Sequence, residues 1–314
     1  MRKIIYILLF CCFWEFLSAC SGFLEEYSQD LTYIRTVDDL NELLVGGGYF
    51  SNTSDMLPML HVMDDDTEFV RKSTNVGYWG FHYWLTNPFV STSGVEQKDN
   101  VWSSFYKYLA VINVVMDKAD DFVSEGDRYR RVKGETYFLR GMDYFYLVNL
   151  YAENYATENL EKPGVPMPLS ATDVHQNTQN NVRVVVGKVW EQIEKDLEEA
   201  TKDLQGKESK SKYRFDYIAL QAFKARVYLF MNKYEEAIEA ASYVIDAKAL
   251  FDMNEIQSYL DGLDKISNAF SYNYGFIDTD YRNEVLFFVG GKANGNPYYY
   301  YKTRFKPAEE LLNL

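Results

Sequence analysis

The chain has 314 residues, of which 47% are hydrophobic and 17% aromatic, and its formal net charge at pH 7 is −14. A chain of this length can bury a large core, and its acidic balance argues against binding to nucleic acid or anionic lipid. The three cysteines, Cys11, Cys12 and Cys20, all lie near the start. The body is therefore predicted to have no internal disulfide, no thiolate nucleophile and no cysteine metal site.

The start of the chain has the pattern of an export signal. Arg2 and Lys3 precede an apolar run over residues 4–14, which is too short to cross a membrane as a helix. The run leads to Leu17-Ser18-Ala19-Cys20, which resembles the bacterial lipobox. We therefore predict that Cys20 is lipidated and becomes the first residue of a protein outside the cytoplasm. An ordinary secretory signal that carries cysteines is the alternative.

Residues 20–100 are predicted to form an N-terminal segment and a long aromatic loop. A short helix is expected over residues 37–44, with Asp38 near its start, and Gly46-Gly47-Gly48 is expected to end it. Residues 51–100 show no sustained period and are predicted to be loop, with room for one short helix. Because loops this long are usually functional or disordered, and this one is rich in aromatic residues, we expect it to be functional.

Residues 101–250 are predicted to form the helical core. Apolar residues recur at three- and four-residue steps, as in amphipathic helices. The predicted helices span residues 101–119, 127–151, 182–204, 211–230 and 234–246. The run from Pro163 to Pro168 excludes helix between the second and the third, because proline removes a donor and fixes φ.

The last two of these helices have tetratricopeptide-like spacing around Asn232-Lys233. Small residues at Ala225 and Ala237 would let two antiparallel helices approach closely, with Tyr228 filling the groove beside them. We therefore predict a mainly α fold in which tetratricopeptide-like helical hairpins pack with long irregular loops and few short strands.

Residues 251–314 are predicted to begin a second, less regular subdomain, which we expect to be incomplete. A strand or buried extended segment is predicted over residues 283–289, and helical periodicity returns from Ala308 to Leu314. The predicted organisation thus consists of four parts. These are a lipoprotein signal peptide over residues 1–19, an N-terminal segment and aromatic loop over 20–100, a helical core over 101–250, and the incomplete subdomain over 251–314.

Several motifs follow one another along the chain. They are the lipobox cysteine, Phe23-Leu24-Glu25-Glu26, Trp102 with Tyr106 and Ile112-Asn113, Phe138-Leu139-Arg140-Gly141, Gly164-Val165-Pro166, Asp196-Leu197-Glu198-Glu199-Ala200 and Asn283-Glu284-Val285-Leu286-Phe287. Their order resembles that of the SusD/RagB family of outer-membrane nutrient-binding lipoproteins. The resemblance covers nearly the whole chain, although Ala152 stands where a glycine is more usual and members are generally much longer. Such members continue past the position of Leu314.

The resemblance implies a SusD-like α/α superhelix and a cell-surface protein held in the outer membrane by its lipid anchor. It implies capture of oligosaccharide, or sometimes peptide, without catalysis. It also implies delivery of that ligand to a SusC-type TonB-dependent transporter, which the tetratricopeptide-like half would face.

The sequence carries poor indications of catalysis or of a cofactor. His61, His82 and His175 lack metal-ligand spacing, and no zinc-protease, serine-hydrolase or phosphate-binding motif is present. Asp64-Asp65-Asp66 could offer oxygen ligands to calcium, but it lacks the alternating ligand loop with a central glycine. We therefore predict no cofactor and no metal, and interpret the aspartates as a solvated acidic turn rather than a calcium site.

Aromatic residues give the stronger indication of function. Exposed Trp and Tyr rings offer apolar platforms to the C–H faces of sugars, while Asn, Asp and Arg pair with hydroxyls. The predicted ligand-binding residues are Arg71, Asn75, Trp79, Tyr83 and Trp84 in the aromatic loop, and Tyr298 and Tyr299 in a run of four tyrosines. Some rings of each segment are expected to fill the core instead, since an extended segment points its side chains to two faces.

Three functions are weighed on this basis. The leading one is a lipid-anchored capture protein that serves a transporter. The second is a tetratricopeptide scaffold lipoprotein that holds an envelope assembly together without a small ligand, which predicts a buried aromatic loop. The third is a surface glycoside hydrolase, whose carboxylate pair is defined by geometry rather than by a sequence motif.

Overall fold

The computed structural model describes residues 34–50, 57, 59–65, 67–69, 77–172, 182–209, 211–248, 286 and 305–307. These residues contain seven α-helices and one pair of antiparallel strands. The helices are α1 (Val37–Leu43), α2 (Trp79–His82), α3 (Asn100–Ala119), α4 (Asp127–Tyr151), α5 (Val186–Leu204), α6 (Tyr217–Phe230) and α7 (Tyr234–Ala247). The strands are β1 (Thr67–Phe69) and β2 (Phe305–Pro307). The predicted mainly α fold with few short strands is confirmed.

Helices α3 and α4 pack side by side as an antiparallel hairpin. Asp99 caps α3 because its carboxylate accepts the N–H of Trp102 at 2.9 Å. The hydroxyl of Tyr151, the last residue of α4, donates to the same carboxylate at 2.9 Å. One aspartate thus closes the open end of the hairpin, while Gly126, with φ of +60°, lies immediately before α4 at the other end.

Helix α4 is the centre of the fold, and it packs against α1, α3 and α5. Its predicted apolar stripe is buried, with Phe138 and Phe145 among its members. Burial extends further than that stripe, because Glu135, Arg140 and Asp143 are also buried. Apolar periodicity alone did not predict that these charged residues would be buried.

Two helices begin later than predicted, one because of a tertiary contact and one because of a local cap. Helix α5 begins at Val186 rather than at 182, because Val184 pairs with the proline-rich segment: its carbonyl accepts the N–H of Gly164 at 2.6 Å. Helix α6 begins at Tyr217 rather than at 211. Asp216 caps it by accepting the N–H of Ala219 at 2.9 Å, which fixes the start there.

The glycines after α1 do not end helical structure, contrary to the sequence-based expectation. A π-helical turn, Leu44–Gly48, continues from α1 and packs on α3. A Cβ atom at Gly47 would lie 3.0 Å from Val111 Cγ2, and one at Gly48 would lie 3.3 Å from Ile112 Cγ1. Gly47 and Gly48 therefore allow close packing of this turn against α3.

The proline-rich segment, residues 163–170, lies along α3 and α4 without helical structure, as predicted. Several of its carbonyl oxygens accept hydrogen bonds from side chains of those helices, while that of Val165 accepts the backbone N–H of Val184 at 3.2 Å. Tyr106 donates to Pro166 at 2.8 Å, and both Asn113 and Tyr144 donate to Pro168, at 2.9 and 2.6 Å. We call this segment the proline strap, because buried side chains of two helices hold it in place.

A buried acidic residue joins the N-terminal elements to the helical core. Glu135 is fully buried and accepts from Arg131 at 2.8 Å and from Arg214 at 2.6 Å. It also accepts from the hydroxyl of Tyr49, which in turn accepts the N–H of Phe215 at 3.2 Å. Burial, followed by the charge of Glu135, raises the pKa of Tyr49 well above its usual value.

Helices α6 and α7 form the tight antiparallel hairpin expected from the tetratricopeptide-like spacing. Asn232 occupies the left-handed region with φ of +59°, a conformation that asparagine tolerates better than most residues. The N–H of Lys233 returns to the carbonyl of Tyr228 at 2.9 Å. Ala237 is buried against α6, as predicted, whereas Ala225 is only partly buried.

Replacing Asp143 by asparagine is expected to flatten the pH dependence of stability. Asp143 is fully buried, its two carboxylate oxygens have no hydrogen-bond partner among the described residues, and burial raises its pKa well above the usual value. A raised pKa in the folded state gives stability that is complete below the unfolded-state pKa, near about 4, and is lost as pH rises.

Urea unfolding between pH 4 and 8 checks this expectation. The wild type should lose at most about 1.4 kcal/mol of stability per pH unit through this group, and Asp143→Asn should abolish that slope. Asp121→Asn, an exposed change on the surface after α3, should leave the slope unaltered. Parallel pH profiles for the wild type and Asp143→Asn would contradict the argument.

Candidate ligand-binding site

Residues 77–89 belong to the part of the aromatic loop that the structure describes without a break, and some of their rings anchor it. Tyr78 and Phe81 pack against the fully buried Val62. The ring of Phe81 also meets that of Phe89 edge-on, at 5.0 Å between centroids. A Cβ atom at Gly80 would lie 2.4 Å from the carbonyl oxygen of Pro88. Aromatic packing on one side and backbone contact on the other therefore fix the short helix α2 within the loop.

Two rings of the loop are exposed, and a third lies beside them. Tyr83 is 50% exposed and Trp84 is 70% exposed. Trp79 is partly buried, and its ring lies 5.4 Å from that of Tyr83. The indole N–H of Trp84 donates to the carbonyl of Met63 at 3.2 Å. Large rings that are exposed yet held by specific contacts can present flat apolar faces to a ligand.

Backbone conformation sets the direction of these rings. Tyr78 and Trp84 have φ of +62° and +49°, in the left-handed region that bulky residues rarely occupy. Such conformations have a free-energy cost and persist only where surrounding contacts impose them. Here the loop enters α2 at Tyr78 and leaves at Trp84. Strain at both ends favours the interpretation that the exposed rings serve a function.

Val62 and Phe69, which precede the loop in sequence, contact His82 and Tyr83 within it. The imidazole Nδ1 of His82 lies 2.8 Å from the carbonyl oxygen of Val62. Phe69, on β1, lies 6.1 Å from Tyr83 and 6.4 Å from His82, measured between ring centroids. Phe69 and His82 were not among the predicted site residues. The mixed aromatic pattern around His82 is the only sequence feature that could have suggested them.

The structure thus brings together three of the seven predicted ligand-binding residues: Trp79, Tyr83 and Trp84. Arg71, Asn75, Tyr298 and Tyr299 lie outside the described residues, as does the predicted lipidation site Cys20. The same holds for the predicted strand at 283–289, apart from Leu286, and for the predicted helix from Ala308 to Leu314. Those assignments stay predictions.

A second group of aromatic residues, at the start of α3, makes its contacts within the fold. Trp102 lies 4.8 Å from Tyr151 and 4.9 Å from Tyr106 between centroids, and the Arg183 guanidinium lies 5.5 Å from the Trp102 ring. Burial raises the pKa of Tyr106 and of Tyr151. The hydroxyls of both tyrosines already donate within the fold, and Arg183 donates to two carbonyls, so this group is less suited to a ligand than the aromatic loop.

No metal site is apparent in the part of the chain that the structure describes: it contains no group of three His, Cys, Asp or Glu residues placed to share an ion. Asp64 and Asp65 are exposed, as expected of an acidic turn. None of the described helices combines the length and the apolar character needed to span a membrane.

Comparison with known proteins identifies the family. The model of a SusD-like family, described as starch-binding and associating with the outer membrane, matches residues 31–229. This chain belongs to the SusD-like family. A SusD-like protein of Formosa agariphila is 28% identical over 144 residues, which is 46% of this chain and 25% of that relative.

Solved SusD-like structures share the fold. A SusD superfamily protein from Bacteroides thetaiotaomicron superposes with a TM-score of 0.57 at 22% identity and covers 71% of this chain. A SusD-like carbohydrate-binding protein from Bacteroides vulgatus gives 0.55 at 20% identity, again over 71%. The matches cover 49% and 47% of those two chains, so this SusD-like chain spans about half the length of the solved relatives.

Proposed function

We propose that this SusD-like protein is a non-catalytic capture protein that binds oligosaccharide, or peptide, through the exposed rings of the aromatic loop. Tyr83 and Trp84 form the platform, with Trp79 beside them. The observation that carries the proposal is the 70% exposure of Trp84 and the 50% exposure of Tyr83 on a loop that Tyr78 and Phe81 anchor against Val62. Adjacent exposed rings offer a flat apolar surface that a bound ligand can cover.

The same observation separates the alternatives. A scaffold lipoprotein without a small ligand was expected to bury the aromatic loop, and the exposure of Tyr83 and Trp84 weighs against that function. A glycoside hydrolase needs two carboxyl groups about 5–10 Å apart across a substrate site. The described contacts of Trp79, His82 and Trp84 are with another ring and with backbone carbonyl groups. Capture without catalysis therefore has the better support.

Further parts of the proposal come from the family resemblance and from the start of the sequence. They are lipidation at Cys20, exposure on the cell surface, and delivery of the ligand to a SusC-type TonB-dependent transporter. We further propose that Arg71, Asn75, Tyr298 and Tyr299 add polar and aromatic contacts to the ligand, and that no metal or other cofactor takes part. The family's association with the outer membrane supports this placement.

Trp84→Ala is expected to weaken binding of oligosaccharide by about tenfold or more, because a central aromatic contact contributes upward of about 1.4 kcal/mol. Tyr83→Ala should show a smaller loss of the same kind. Isothermal titration against a panel of soluble glucans, host-type glycans and peptides measures both effects. Product analysis of the same mixtures checks that the ligand is released unaltered.

Tyr213→Ala is the matched control for this experiment. Tyr213 is 53% exposed, close to the value for Tyr83, but it lies in the segment before α6. The control should bind as the wild type does. If Trp84→Ala bound a ligand of the wild type with unchanged affinity, the aromatic loop would be rejected as the site. If a product formed only when the protein was present, the non-catalytic function would be rejected.

A further inference from the structure

The last described hairpin exposes an apolar stripe on α7. Tyr234, Ile238 and Ile245 are 57%, 65% and 67% exposed. Together with Ala241 they follow steps of four, three and four residues, which place all four on one side of the helix. The buried Ala237 stands four residues before Ala241, so the stripe borders the buried side of α7 and is exposed at its other members. We call these four residues the α7 stripe.

The stripe differs from the outer face of a terminal repeat. Arrays of helical hairpins end in a polar face, because nothing packs on the last helix. On α7 the polar side chains, such as Glu239 and Asp246, stand beside the stripe rather than on it. The 4-3-4 spacing is the one with which helices pack against a neighbour along their length. The stripe therefore has the form of an interface for one more helix.

The sequence after α7 contains a segment that suits this interface. Helix α7 ends at Ala247, and residues 254–263 carry apolar side chains at i, i+3, i+4 and i+7. The four residues are Ile256, Tyr259, Leu260 and Leu263. Only residues 248–253 separate the two patterns, and connections of about two to eight residues typically join antiparallel neighbouring helices.

We propose that residues 254–263 of this chain pack antiparallel on the α7 stripe and continue the helical array. A connection of this length places Ile256 opposite Ile245 and Leu263 opposite Ile238. The contact covers the apolar surface that the last hairpin exposes, and it does not depend on the ligand or on the capture function.

Disulfide cross-linking in the full chain tests the contact and its register. The sequence contains only three cysteines, so Cys11, Cys12 and Cys20 are first replaced by serine to give a cysteine-free background. Two paired variants are then oxidised: Ile245→Cys with Ile256→Cys, and Ile238→Cys with Leu263→Cys. Both pairs should form an intramolecular disulfide, because facing Cα atoms lie within the limit of about 7 Å.

The control pair, Ile245→Cys with Leu263→Cys, should not cross-link. Its members stand seven residues apart in the proposed register, or about 10 Å along the helix axis. Absence of a disulfide in both matched pairs would overturn the proposal, as would equal cross-linking of the control pair. Disulfides only between two chains would also overturn it, because they would assign the stripe to a second copy.

Thiol labelling gives a second measurement that introduces a single cysteine. Ile238→Cys in the same background should react with a maleimide about tenfold more slowly than Asp246→Cys, because a covered site reacts only after local opening. Asp246 is exposed on the same helix, away from the stripe. Equal labelling rates in folded protein, verified by circular dichroism, would show an uncovered stripe and overturn the proposal.

Discussion

Arg140→Met is expected to destabilise the protein by about 3–5 kcal/mol, the usual effect of removing one partner from a buried ion pair. Arg140 binds both carboxylate oxygens of Asp196, through Nε at 2.9 Å and Nη2 at 2.7 Å, and both side chains are buried. Arg140 also donates to the carbonyl of Leu169 in the proline strap at 3.3 Å. The variant leaves Asp196 buried with only Gln192, at 2.8 Å, as a described partner. Urea unfolding at pH 7.5 measures the loss.

The loss of stability in Arg140→Met should also depend on pH. Burial raises the pKa of Asp196, and the hydrogen bonds and charge of Arg140 oppose that shift. Without Arg140 the pKa of Asp196 rises further, and the carboxyl takes up a proton as pH falls. Arg140→Met should therefore lose less stability at pH 4.5 than at pH 7.5.

Two further variants test whether the loss of stability in Arg140→Met comes from the buried ion pair. Arg140→Met combined with Asp196→Leu should recover most of the stability, because it leaves no buried charge unpaired. Arg130→Met, which breaks the exposed pair between Arg130 and Asp127, should leave the unfolding midpoint nearly unaltered. If Arg140→Met behaved like Arg130→Met, the buried pair could not be what holds α4, α5 and the proline strap together.

Gly80→Ala is expected to displace the aromatic loop and abolish ligand binding, with a loss of stability of about 1–3 kcal/mol, as is typical of overpacking. An added Cβ would lie 2.4 Å from the carbonyl oxygen of Pro88 and 2.8 Å from its carbonyl carbon. Backbone atoms cannot move aside as a side chain can, so α2 must shift. That shift changes the direction of Tyr83 and Trp84, which immediately follow α2.

The displacement can be measured without a ligand. Acrylamide quenching and the emission maximum of tryptophan should both change in Gly80→Ala, since Trp79 and Trp84 flank this position. Gly46→Ala is the matched control, because no atom lies within 4 Å of a Cβ placed there. The control should be neutral or slightly stabilising. Wild-type fluorescence and affinity in Gly80→Ala would refute the tight contact with Pro88.

The core helices could be predicted from sequence because their periodicity is long and regular. Helix α4 occupies the range that was predicted for it. The errors arose at the starts of α5 and α6 and at the glycines after α1. Helix α5 begins late because Val184 pairs with the proline strap, and the glycines after α1 pack against α3. Such contacts leave no local periodicity. The buried charges of α4 were missed for the same reason, since Glu135 and Arg140 resemble surface residues until their partners are known.

The candidate site was located from sequence in part. An unusual density of rings predicted that the aromatic loop would bind a ligand, and the structure exposes Tyr83 and Trp84 there. Which rings would anchor and which would face solvent could not be derived from alternation, because α2 and the positive φ values at Tyr78 and Trp84 interrupt it. A glycine in the sequence indicates that a left-handed conformation is possible, whereas a bulky residue gives no such indication.

The pairing of β1 with β2 has a consequence for the order of folding. Thr67 pairs with Pro307, and Phe69 with Phe305, so this contact joins parts of the chain that are distant in sequence. The helical hairpins close over short loops and can form early, whereas a distant pairing carries a large loop-closure entropy and forms slowly. During synthesis β2 emerges long after the aromatic loop. Strand β1, whose Phe69 lies beside Tyr83, therefore has no partner strand until β2 has been made. The exposed rings of the aromatic loop then reach their final arrangement last.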